Sequence, residues 1–438
     1  MRRVRKRRLN VGPYSSTEVN ADRRVASDLN RTPCPTVFPI FLKEPTEKSS
    51  LQWVKPSLGP HRTCLYGINL EPSNHVKVAV FDLDGTVIKS SYGKGKTSVG
   101  PTEFIWWKEG VPKKLTAVSQ AGYSLVFITN QAGLKGPKQV DEWKRKMSKF
   151  SVALPDVPFR IFAATAKDGF RKPIPGMWYE LERIFKESGV EIDKSQSYYV
   201  GDGAGRPTDF ACTDRKFAIN VGVRFYTPEE FFIKAAPAAY NLPGFHVSSL
   251  KQPSTKPADA PPIIPPGSPP QEVVVFVGYP ALGKSTFFKR HFLPLGYVHV
   301  NQDTLKTRDK CVKAVQEALS AGKSCVVDNT NRDVMTRKFY VDIAKKYKVP
   351  IRCFHFEGSQ GLAWHNNLYR AFNRPPSSVI GEPARDLLPK FAFATYEKGF
   401  EEPTMEEGFD EIQKVQWQFE GSEEERQRWS MWLQIDGK

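Results

Sequence analysis

The chain has 438 residues, with 64 Lys and Arg against 47 Asp and Glu, so its formal net charge at pH 7 is +17. This excess of positive charge favours a polyanionic partner such as nucleic acid or an anionic membrane surface. The sequence contains no apolar run of about 18 residues and no secretory signal, so we expect no membrane-spanning segment. Its six cysteines include no Cys-x-x-Cys pair, which indicates reduced thiols in an intracellular protein.

The first segment, residues 1–60, is polar and contains prolines without sustained hydrophobic periodicity. We therefore expect it to be mostly disordered. Six of its first eight residues are basic, a pattern that matches a nuclear localisation signal and predicts a nuclear protein. The alternative is a solvated tail without a targeting function.

Residues 61–250 alternate strand-like and helix-like patterns, which is typical of an α/β domain with a parallel, doubly wound sheet. The apolar run from Val76 to Phe81 predicts a buried strand. Further strands are predicted at 124–129, 159–163 and 197–201, and helices at 111–121, 139–150 and 176–188.

Two aspartates, Asp82 and Asp84, directly follow the first of these strands and precede Gly85 and Thr86. Because open α/β sheets place their sites at the carboxyl ends of strands, we expect both carboxylates to share one Mg²⁺. Asp82 suits a nucleophile that attacks phosphorus. Asp84 suits a general acid that protonates the leaving alkoxide and then activates water. An isolated pair of this kind is also common in ordinary turns.

Three later residues supply the remaining parts of a phosphate-handling site. The Thr129 hydroxyl could hold a phosphate oxygen, Lys172 with its neighbour Arg171 offers positive charge, and Asp202 offers a second Mg²⁺ carboxylate. Each alone is also explained as a capping threonine, a surface lysine or a turn aspartate. In this order the block resembles a haloacid dehalogenase superfamily phosphatase. The resemblance implies Mg²⁺ and a phosphoaspartate intermediate at Asp82.

Residues 251–271 contain eight prolines, a composition that predicts an extended, semi-rigid linker. The linker separates the first domain from a second one, residues 272–438. Strand patterns at 272–277 and 324–327 indicate that this second domain is also α/β with a parallel sheet.

The segment from Gly278 to Ser285 fits the pattern G-x-x-x-x-G-K-[ST] between a strand and a helix, which is the context of a phosphate-binding loop. We expect the loop that contains Gly278 and Gly283 to cradle the phosphates of ATP. Lys284 would neutralise the β and γ oxygens, and Ser285, with Thr286 beside it, would hold Mg²⁺.

Phosphoryl transfer also needs a base and a group that stabilises charge. Asp303 follows a strand pattern at 297–300 and could accept the proton of an attacking hydroxyl. Its alternative is a helix N-cap for the segment that starts at Thr304. Asp328, at another strand end, is a rival for base or metal duty. Arg370 could stabilise charge on the transferred phosphoryl group.

The two halves in this order resemble the polynucleotide kinase 3′-phosphatase family. The matching segments are 201–207, 274–288, 296–305, 327–331 and 365–367. The resemblance implies that Asp303 is the kinase base and Arg370 an arginine of the lid. It predicts removal of 3′-phosphates and ATP-dependent phosphorylation of 5′-hydroxyl ends in DNA strand-break repair. Animal members carry a forkhead-associated domain ahead of the phosphatase, and we expect none here because 70 residues cannot hold it.

We expect DNA ends at nicks, gaps or single strands as the substrate, with RNA as a second candidate. Strand-break repair proteins are the expected protein partners, and we expect a monomer that does not bind membranes. Trp106 and Trp107 could stack on bases, or simply pack in the core. Candidate contacts for backbone phosphates are Lys89, Lys94, Lys96, Lys113 and Lys114.

Two other functions remain open for the whole chain. One is a bifunctional phosphatase and kinase that acts on small metabolites, against which the net charge argues. The other is a catalytically inactive nucleic-acid-binding scaffold, against which the retained Asp82, Asp84, Lys284 and Ser285 argue.

Overall fold

The computed structural model describes residues 49–90, 99–250, 262–264, 271–381 and 385–436. The described residues belong to one compact unit that begins at Lys48 and contains two β-sheets. We call the part around the first sheet, residues 49–250, the N-terminal lobe, and the part around the second sheet, residues 271–436, the C-terminal lobe. Of the helices in these residues, none combines the length and apolarity that a membrane span requires.

The N-terminal lobe is built on a seven-stranded sheet in the order β1-β2-β5-β4-β3-β6-β7. The strands are β1 (Gln52–Trp53), β2 (Cys64–Asn69), β3 (Val78–Phe81), β4 (Ser124–Asn130), β5 (Phe159–Ala164), β6 (Tyr198–Val200) and β7 (Arg224–Tyr226). Strands β3 to β7 pair in parallel, whereas β2 runs antiparallel to both β1 and β5.

Strand β3 illustrates why the central strands of this sheet are continuous apolar runs in the sequence. Val78 and Val80 pack into the core on one face, and Ala79 and Phe81 pack into the core on the other. Side chains alternate between the faces of a strand, so a strand covered by helices on both faces must be apolar at every position. The covering helices are α1 (Val111–Gln120), α2 (Pro137–Val152), α3 (Gly176–Glu187), α4 (Thr213–Val221) and α5 (Pro228–Ile233).

The C-terminal lobe is built on a five-stranded parallel sheet in the order β12-β11-β8-β10-β9. Its strands are β8 (Val273–Val277), β9 (Val298–Val300), β10 (Cys325–Asp328), β11 (Ile351–Glu357) and β12 (Glu411–Gln416). Its helices are α6 (Lys284–His291), α7 (Gln302–Leu305), α8 (Arg308–Ser320), α9 (Val334–Tyr347), α10 (Gln360–Leu368), α11 (Lys390–Lys398) and α12 (Glu423–Trp429).

Strand order reverses beside β3 in the first sheet and beside β8 in the second. From β3 the chain moves to β4 and β5 on one side and then to β6 on the other. From β8 it moves to β9 and β10 on one side and then to β11 on the other. Such reversals open a crevice at the carboxyl ends of the strands, where ligands bind in open α/β sheets. Both motif-bearing loops begin at these two crevices.

The prediction of two doubly wound α/β domains is confirmed. The first sheet has two further strands at one edge, β1 and β2, that were not predicted. Residues 49–60 belong to the segment expected to be mostly disordered, but they include β1, which pairs with β2 through Gln52 and Trp53. A two-residue strand has no periodicity to detect, which explains the error. The basic patch at the start of the chain lies outside the described residues, as does most of the proline-rich segment.

Candidate active sites

The first site is built around buried Lys172, which lies in the loop after β5 and contacts Asp82 at the end of β3. Lys172 Nζ donates to Asp82 Oδ1 at 2.6 Å and to Asp214 Oδ1 at 2.7 Å. It also donates to the Ile128 carbonyl at 2.8 Å, and the Lys172 side chain is almost entirely buried. Burial alone would lower the pKa of Lys172, but Asp214 and Asp82 outweigh it and raise that pKa. Lys172 is therefore held as a cation beside Asp82.

Three carboxylates meet in this pocket. Asp82, Asp202 and Asp214 bring ligand oxygens within 4.8 Å of one another. Burial raises the pKa of Asp202 well above its usual value, and the charges of Asp82 and Asp214 raise it further. Its Oδ1 atom is buried without a hydrogen-bond partner among the described residues. A buried excess of carboxylates with an unpartnered oxygen suits a hard divalent cation such as Mg²⁺, which prefers oxygen ligands.

Gln131 links the other two predicted residues of this site. Its Nε2 donates to Asp84 Oδ2 at 2.6 Å and to Thr129 Oγ1 at 3.0 Å. Burial raises the pKa of Asp84, while the charge of Lys146 and the bond from Gln131 act in the opposite direction. The carboxylate of Asp84 is outside the three-carboxylate cluster, so a role for it as a metal ligand stays a prediction.

Sequence reasoning missed Asp214, which completes the pocket from the first turn of α4. Tyr199 donates its hydroxyl to Asp214 Oδ1 at 3.0 Å, and the Gly203 amide donates to Oδ2 at 2.8 Å. A Cβ atom on Gly203 would lie 2.8 Å from the same Oδ2. Gly201 and Gly203, which flank Asp202, are the one sequence signal for this close approach.

The neighbouring aromatic and basic candidates have different surroundings. Trp106 packs against Phe150 with ring centroids 5.2 Å apart, and Trp107 packs against Phe232 at 5.9 Å. Both rings cover the N-terminal core, as the packing alternative predicts. Arg171 donates to the Ile435 carbonyl at 2.9 Å, so it contacts the C-terminal lobe. Lys89, Lys113 and Lys114 are exposed, whereas Lys94 and Lys96 lie outside the described residues.

The second site is the glycine-rich loop between β8 and α6. Lys284 Nζ donates to the carbonyls of Gly278 at 2.9 Å and Tyr279 at 2.6 Å. Burial lowers the pKa of Lys284 to about 8, with smaller effects from Asp328, which raises it, and Arg370, which lowers it. Gly283 has a φ of 82°, a left-handed conformation that glycine adopts without strain, and α6 begins at the next residue.

Asp328 at the end of β10 organises the polar side of this loop. Its Oδ2 accepts hydrogen bonds from Ser285 Oγ at 2.6 Å and from His299 Nε2 at 2.9 Å. Its backbone carbonyl accepts a bond from Asn301 at 2.7 Å. Asp328 is buried and hydrogen-bonded to Ser285, whose hydroxyl is predicted to bind Mg²⁺. Its position therefore fits a role at the metal better than a role as the general base.

Asp303 is not a helix N-cap. Asn301 caps α7 instead, because its Oδ1 accepts from the amides of Asp303 at 2.8 Å and Thr304 at 3.4 Å. Asp303 therefore sits in the first turn with an exposed side chain. Its carboxylate has no hydrogen-bond partner in the described part of the chain, which leaves it available to a substrate hydroxyl.

Arg370 lies in a π-helical turn, Tyr369–Asn373, that continues α10. Burial lowers the pKa of its guanidinium to about 10, Arg385 lowers it further, and Asp303 opposes both. Its Nε atom is buried without a partner among the described residues. Arg370, Asp303 and Lys284 therefore share one electrostatic environment, as a site for phosphoryl transfer requires.

The His365-Asn366-Asn367 segment anchors α10 rather than entering the site. Asn366 donates to the Ala281 carbonyl of the glycine-rich loop at 3.1 Å and accepts from the Trp429 indole at 2.8 Å. His365 Nε2 donates to the Trp429 carbonyl at 2.6 Å. These bonds position α10, and with it Arg370, against the loop.

Comparison with known proteins assigns both halves. Residues 77–232 match the family described as polynucleotide kinase 3 phosphatase, and residues 306–392 match an AAA domain family. A bifunctional polynucleotide phosphatase/kinase of Schizosaccharomyces pombe is 39% identical over 361 residues, covering 82% of this chain and 83% of the relative. A putative enzyme of the same description from Acanthamoeba polyphaga mimivirus is 32% identical, covering 83% of this chain and 90% of the relative.

A further relative has a narrower description. The polynucleotide 3′-phosphatase ZDP of Arabidopsis thaliana is 34% identical over 180 residues, covering 36% of this chain and 24% of the relative. The two broader matches each cover more than four fifths of this chain. The chain therefore belongs to the family of bifunctional polynucleotide phosphatase/kinases.

Proposed function

We propose that the N-terminal lobe removes 3′-phosphates from polynucleotide ends and that the C-terminal lobe phosphorylates 5′-hydroxyl ends from ATP. The observation that carries the proposal is that one chain contains both a buried Asp82–Lys172 pair and a glycine-rich loop with Lys284 and Ser285. The products, a 3′-hydroxyl and a 5′-phosphate, are the ends that a ligase joins.

In the phosphatase reaction, Asp82 attacks the phosphorus and forms a phosphoaspartate as the 3′-oxygen leaves. Lys172, bonded to Asp82, offsets negative charge on the phosphoryl group. Thr129 supplies a hydroxyl to a phosphoryl oxygen. Asp84 gives its proton to the leaving 3′-oxygen and then takes one from the water that hydrolyses the phosphoaspartate. Gln131 orients both Asp84 and Thr129.

In the kinase reaction, Asp303 accepts the proton of the attacking 5′-hydroxyl. The amides of the loop and Lys284 hold the ATP phosphates, which replace the carbonyl partners that Lys284 has in this structure. Arg370, whose Nε lacks a partner among the described residues, donates to the transferred phosphoryl group.

Mg²⁺ fits both sites by donor chemistry: Asp82, Asp202 and Asp214 in the first, and Ser285 with Asp328 nearby in the second. Bound there, it would neutralise charge on phosphoryl oxygens. The nucleophile Asp82 and the proton-transfer residues Asp84 and Asp303 are side chains of this protein.

We further propose that the substrates are DNA ends in strand breaks and that the protein acts in the nucleus. The net charge of +17 supports a polyanionic substrate, and the basic start of the sequence supports nuclear import. Strand-break repair proteins are the proposed partners of a monomeric enzyme.

Substrate class is tested by comparing DNA, RNA and small phosphorylated metabolites under one set of conditions. Purified protein is incubated with Mg²⁺ and ATP, and kcat/KM is measured for 3′-phosphorylated DNA and RNA oligonucleotides, a nucleoside 3′-phosphate and a sugar phosphate. We expect DNA oligonucleotides to be preferred, with a steep loss of affinity at higher salt. A higher kcat/KM on the sugar phosphate would instead support the small-metabolite enzyme.

A further inference from the structure

A basic groove lies at the β1 edge of the N-terminal lobe, outside both sites. It encloses about 590 Å³ and is lined by residues that include Trp53, Lys55, Arg62, Tyr66 and Lys144. Three of its lining residues are cationic and none is acidic. Lys144 Nζ lies 5.3 Å from the centre of the Trp53 ring, so cation and aromatic surface share one wall. We call this feature the β1 groove.

The cations of the β1 groove have no acidic residue beside them in the groove lining. Lys55 and Arg62 are exposed, and Lys144 is half-buried. Across the residues that the structure describes, the side chains of these three cations form neither an ion pair nor a hydrogen bond with a carboxylate. Unpaired cations around a concave surface without acidic neighbours create a positive potential that attracts polyanions.

Arg62 adds evidence from the backbone. Its φ is 55°, in the left-handed region that disfavours a long side chain by about 1 kcal/mol or more. Glycine would occupy this position without strain, yet an arginine stands here and leaves its guanidinium unpaired in the described part of the chain. The Arg62 amide closes a turn onto the Gly59 carbonyl at 3.0 Å, and its exposed side chain in the groove lining is accessible to an external anion.

The β1 groove borders the loop that carries Lys172. Cys64 pairs with Ala164, so the segment before Cys64 lies at the same sheet edge as the first site. The Thr63 carbonyl accepts a bond from the Thr165 amide at 2.8 Å. A Cβ atom on Gly59 would overlap the Phe170 ring at 2.3 Å, so these two loops are in direct contact.

The distance between the β1 groove and the first site sets how long a polynucleotide must be to reach both. Strand β1 is four strands away from β3, which is about 19 Å at roughly 4.8 Å per strand. One strand of a duplex carries a phosphate about every 3.4 Å, so this distance corresponds to about six nucleotides. A polynucleotide whose 3′-phosphate sits at Asp82 can reach the β1 groove, whereas a dinucleotide cannot.

We propose that the β1 groove binds the backbone of the polynucleotide several nucleotides away from the 3′-phosphate that the first site removes. Lys55, Arg62 and Lys144 contact phosphates, and Trp53 forms the apolar wall beside Lys144. The proposal rests on the proposed 3′-phosphatase function and extends it by a second contact region that measures substrate length.

The test compares a groove variant with a charge-matched control. The groove variant carries Lys55→Gln, Arg62→Gly and Lys144→Gln, with glycine chosen because it keeps the left-handed backbone. The control carries Lys77→Gln, Lys186→Gln and Arg224→Gln. Lys77 and Arg224 are at the amino ends of β3 and β7, and Lys186 is in the last turn of α3, so all three lie at the opposite sheet edge.

KM and kcat for 3′-phosphate removal are measured on a dinucleotide and on an oligonucleotide of about twelve nucleotides. For the groove variant we expect KM on the longer substrate to rise about 10-fold, with the dinucleotide values and the control variant unchanged. The slope of log Kd against log salt should fall by about two, since each phosphate contact on a single strand contributes about 0.7. Equal losses on both substrates, or in both variants, would overturn the proposal.

Binding of a fluorescent oligonucleotide without a 3′-phosphate separates this proposal from the function on which it rests. If the wild type binds it and the groove variant binds about 10-fold more weakly, the β1 groove is a polynucleotide contact even if no 3′-phosphate is removed. If the groove variant binds as well as the wild type, the groove proposal fails while the 3′-phosphatase proposal stands. Equal competition by a polyglutamate peptide would also overturn it, because it would show unspecific anion attraction.

Discussion

Lys172 is stable as a buried cation only because two carboxylates face it. Asp82 and Asp214 each lie within 2.7 Å of its Nζ, and the Ile128 carbonyl accepts a further hydrogen bond from it. An isolated charge in such a position would be strongly unfavourable. Asp214 therefore supports the reaction through Lys172, and it does so from a position that no sequence motif marked.

Asp214→Asn tests this supporting role. We expect phosphatase kcat to fall by about 10- to 100-fold, since Lys172 loses its second negative partner, while 5′-kinase activity is unchanged. Urea unfolding should show a loss of about 3 kcal/mol, because a buried pair is broken. Tyr199→Phe, which removes the hydroxyl bonded to Asp214 and Lys172 but no charge, is the matched control and should cost about 1–2 kcal/mol. Full phosphatase activity in Asp214→Asn would contradict the account.

Asp303 and Asp328 are separated by their surroundings, one exposed and the other buried against Ser285. For Asp303→Asn we expect kinase kcat to fall by about 10²- to 10⁴-fold with KM for ATP unchanged, because only proton acceptance is lost. For Asp328→Asn we expect KM for ATP with Mg²⁺ to rise. Steady-state kinetics at varied ATP and Mg²⁺ distinguishes the two, and the reverse pattern would exchange the assigned roles.

At the scale of elements, the sequence was sufficient to predict a strand where that strand is buried on both faces and ends in a motif. Strands β3, β4 and β8 were predicted within about two residues, since apolar runs and motif positions are local signals. Strand β2 was missed, because Gly67 weakens its pattern and its partner β5 lies far along the chain. The Asp214–Lys172 contact was missed for the same reason, since it forms only when α4 packs beside the loop that carries Lys172.

Helix α10 is held in place by a histidine that is neutral in the folded protein. Burial lowers the pKa of His365 from 6.5 to about 4, although its bond to the Trp429 carbonyl opposes this shift. Between these two values the unfolded chain binds a proton that the folded chain does not. Stabilisation from neutral His365 is therefore complete above pH 6.5 and is lost as the pH falls toward 4.

We expect this titration to remove up to about 3 kcal/mol of the free energy of unfolding between these pH values. His365→Gln keeps a donor for the Trp429 carbonyl but cannot titrate. Urea unfolding at pH 7 and pH 4.5 should therefore show a smaller loss in the variant than in the wild type. Identical losses in both proteins would rule out His365 as the source.

Across the whole molecule, the last segment of the chain joins the two lobes. Asn220 of the N-terminal lobe donates to the Trp432 carbonyl and accepts from its amide, both at 2.7 Å. Ile174, two residues after Lys172, is buried in the core of the C-terminal lobe. Gly169, in the same loop, lies against Phe372 of the turn that carries Arg370. The loop of the first site is thus packed against the turn of the second.

Because of this shared packing, we expect both activities to be lost at one temperature. Asn220→Ala removes two hydrogen bonds to Trp432 and one to the Pro173 carbonyl. It should lower that common temperature by about 2–8 °C, for a loss of about 1–2 kcal/mol. Residual 3′-phosphatase and 5′-kinase activities are measured after heating aliquots of one preparation. Separate midpoints in the wild type would show that the lobes unfold independently.

The central claim, two independent active sites on one chain, is tested most directly on a nicked DNA duplex with 3′-phosphate and 5′-hydroxyl ends. Each end is followed separately in the wild type, Asp82→Asn and Lys284→Ala, with Mg²⁺ and ATP present. The account predicts that Asp82→Asn loses only 3′-phosphate removal, that Lys284→Ala loses only 5′ phosphorylation, and that a mixture of the two variants repairs both ends. A wild type that changes neither end, or a single variant that abolishes both reactions while remaining folded, would contradict it.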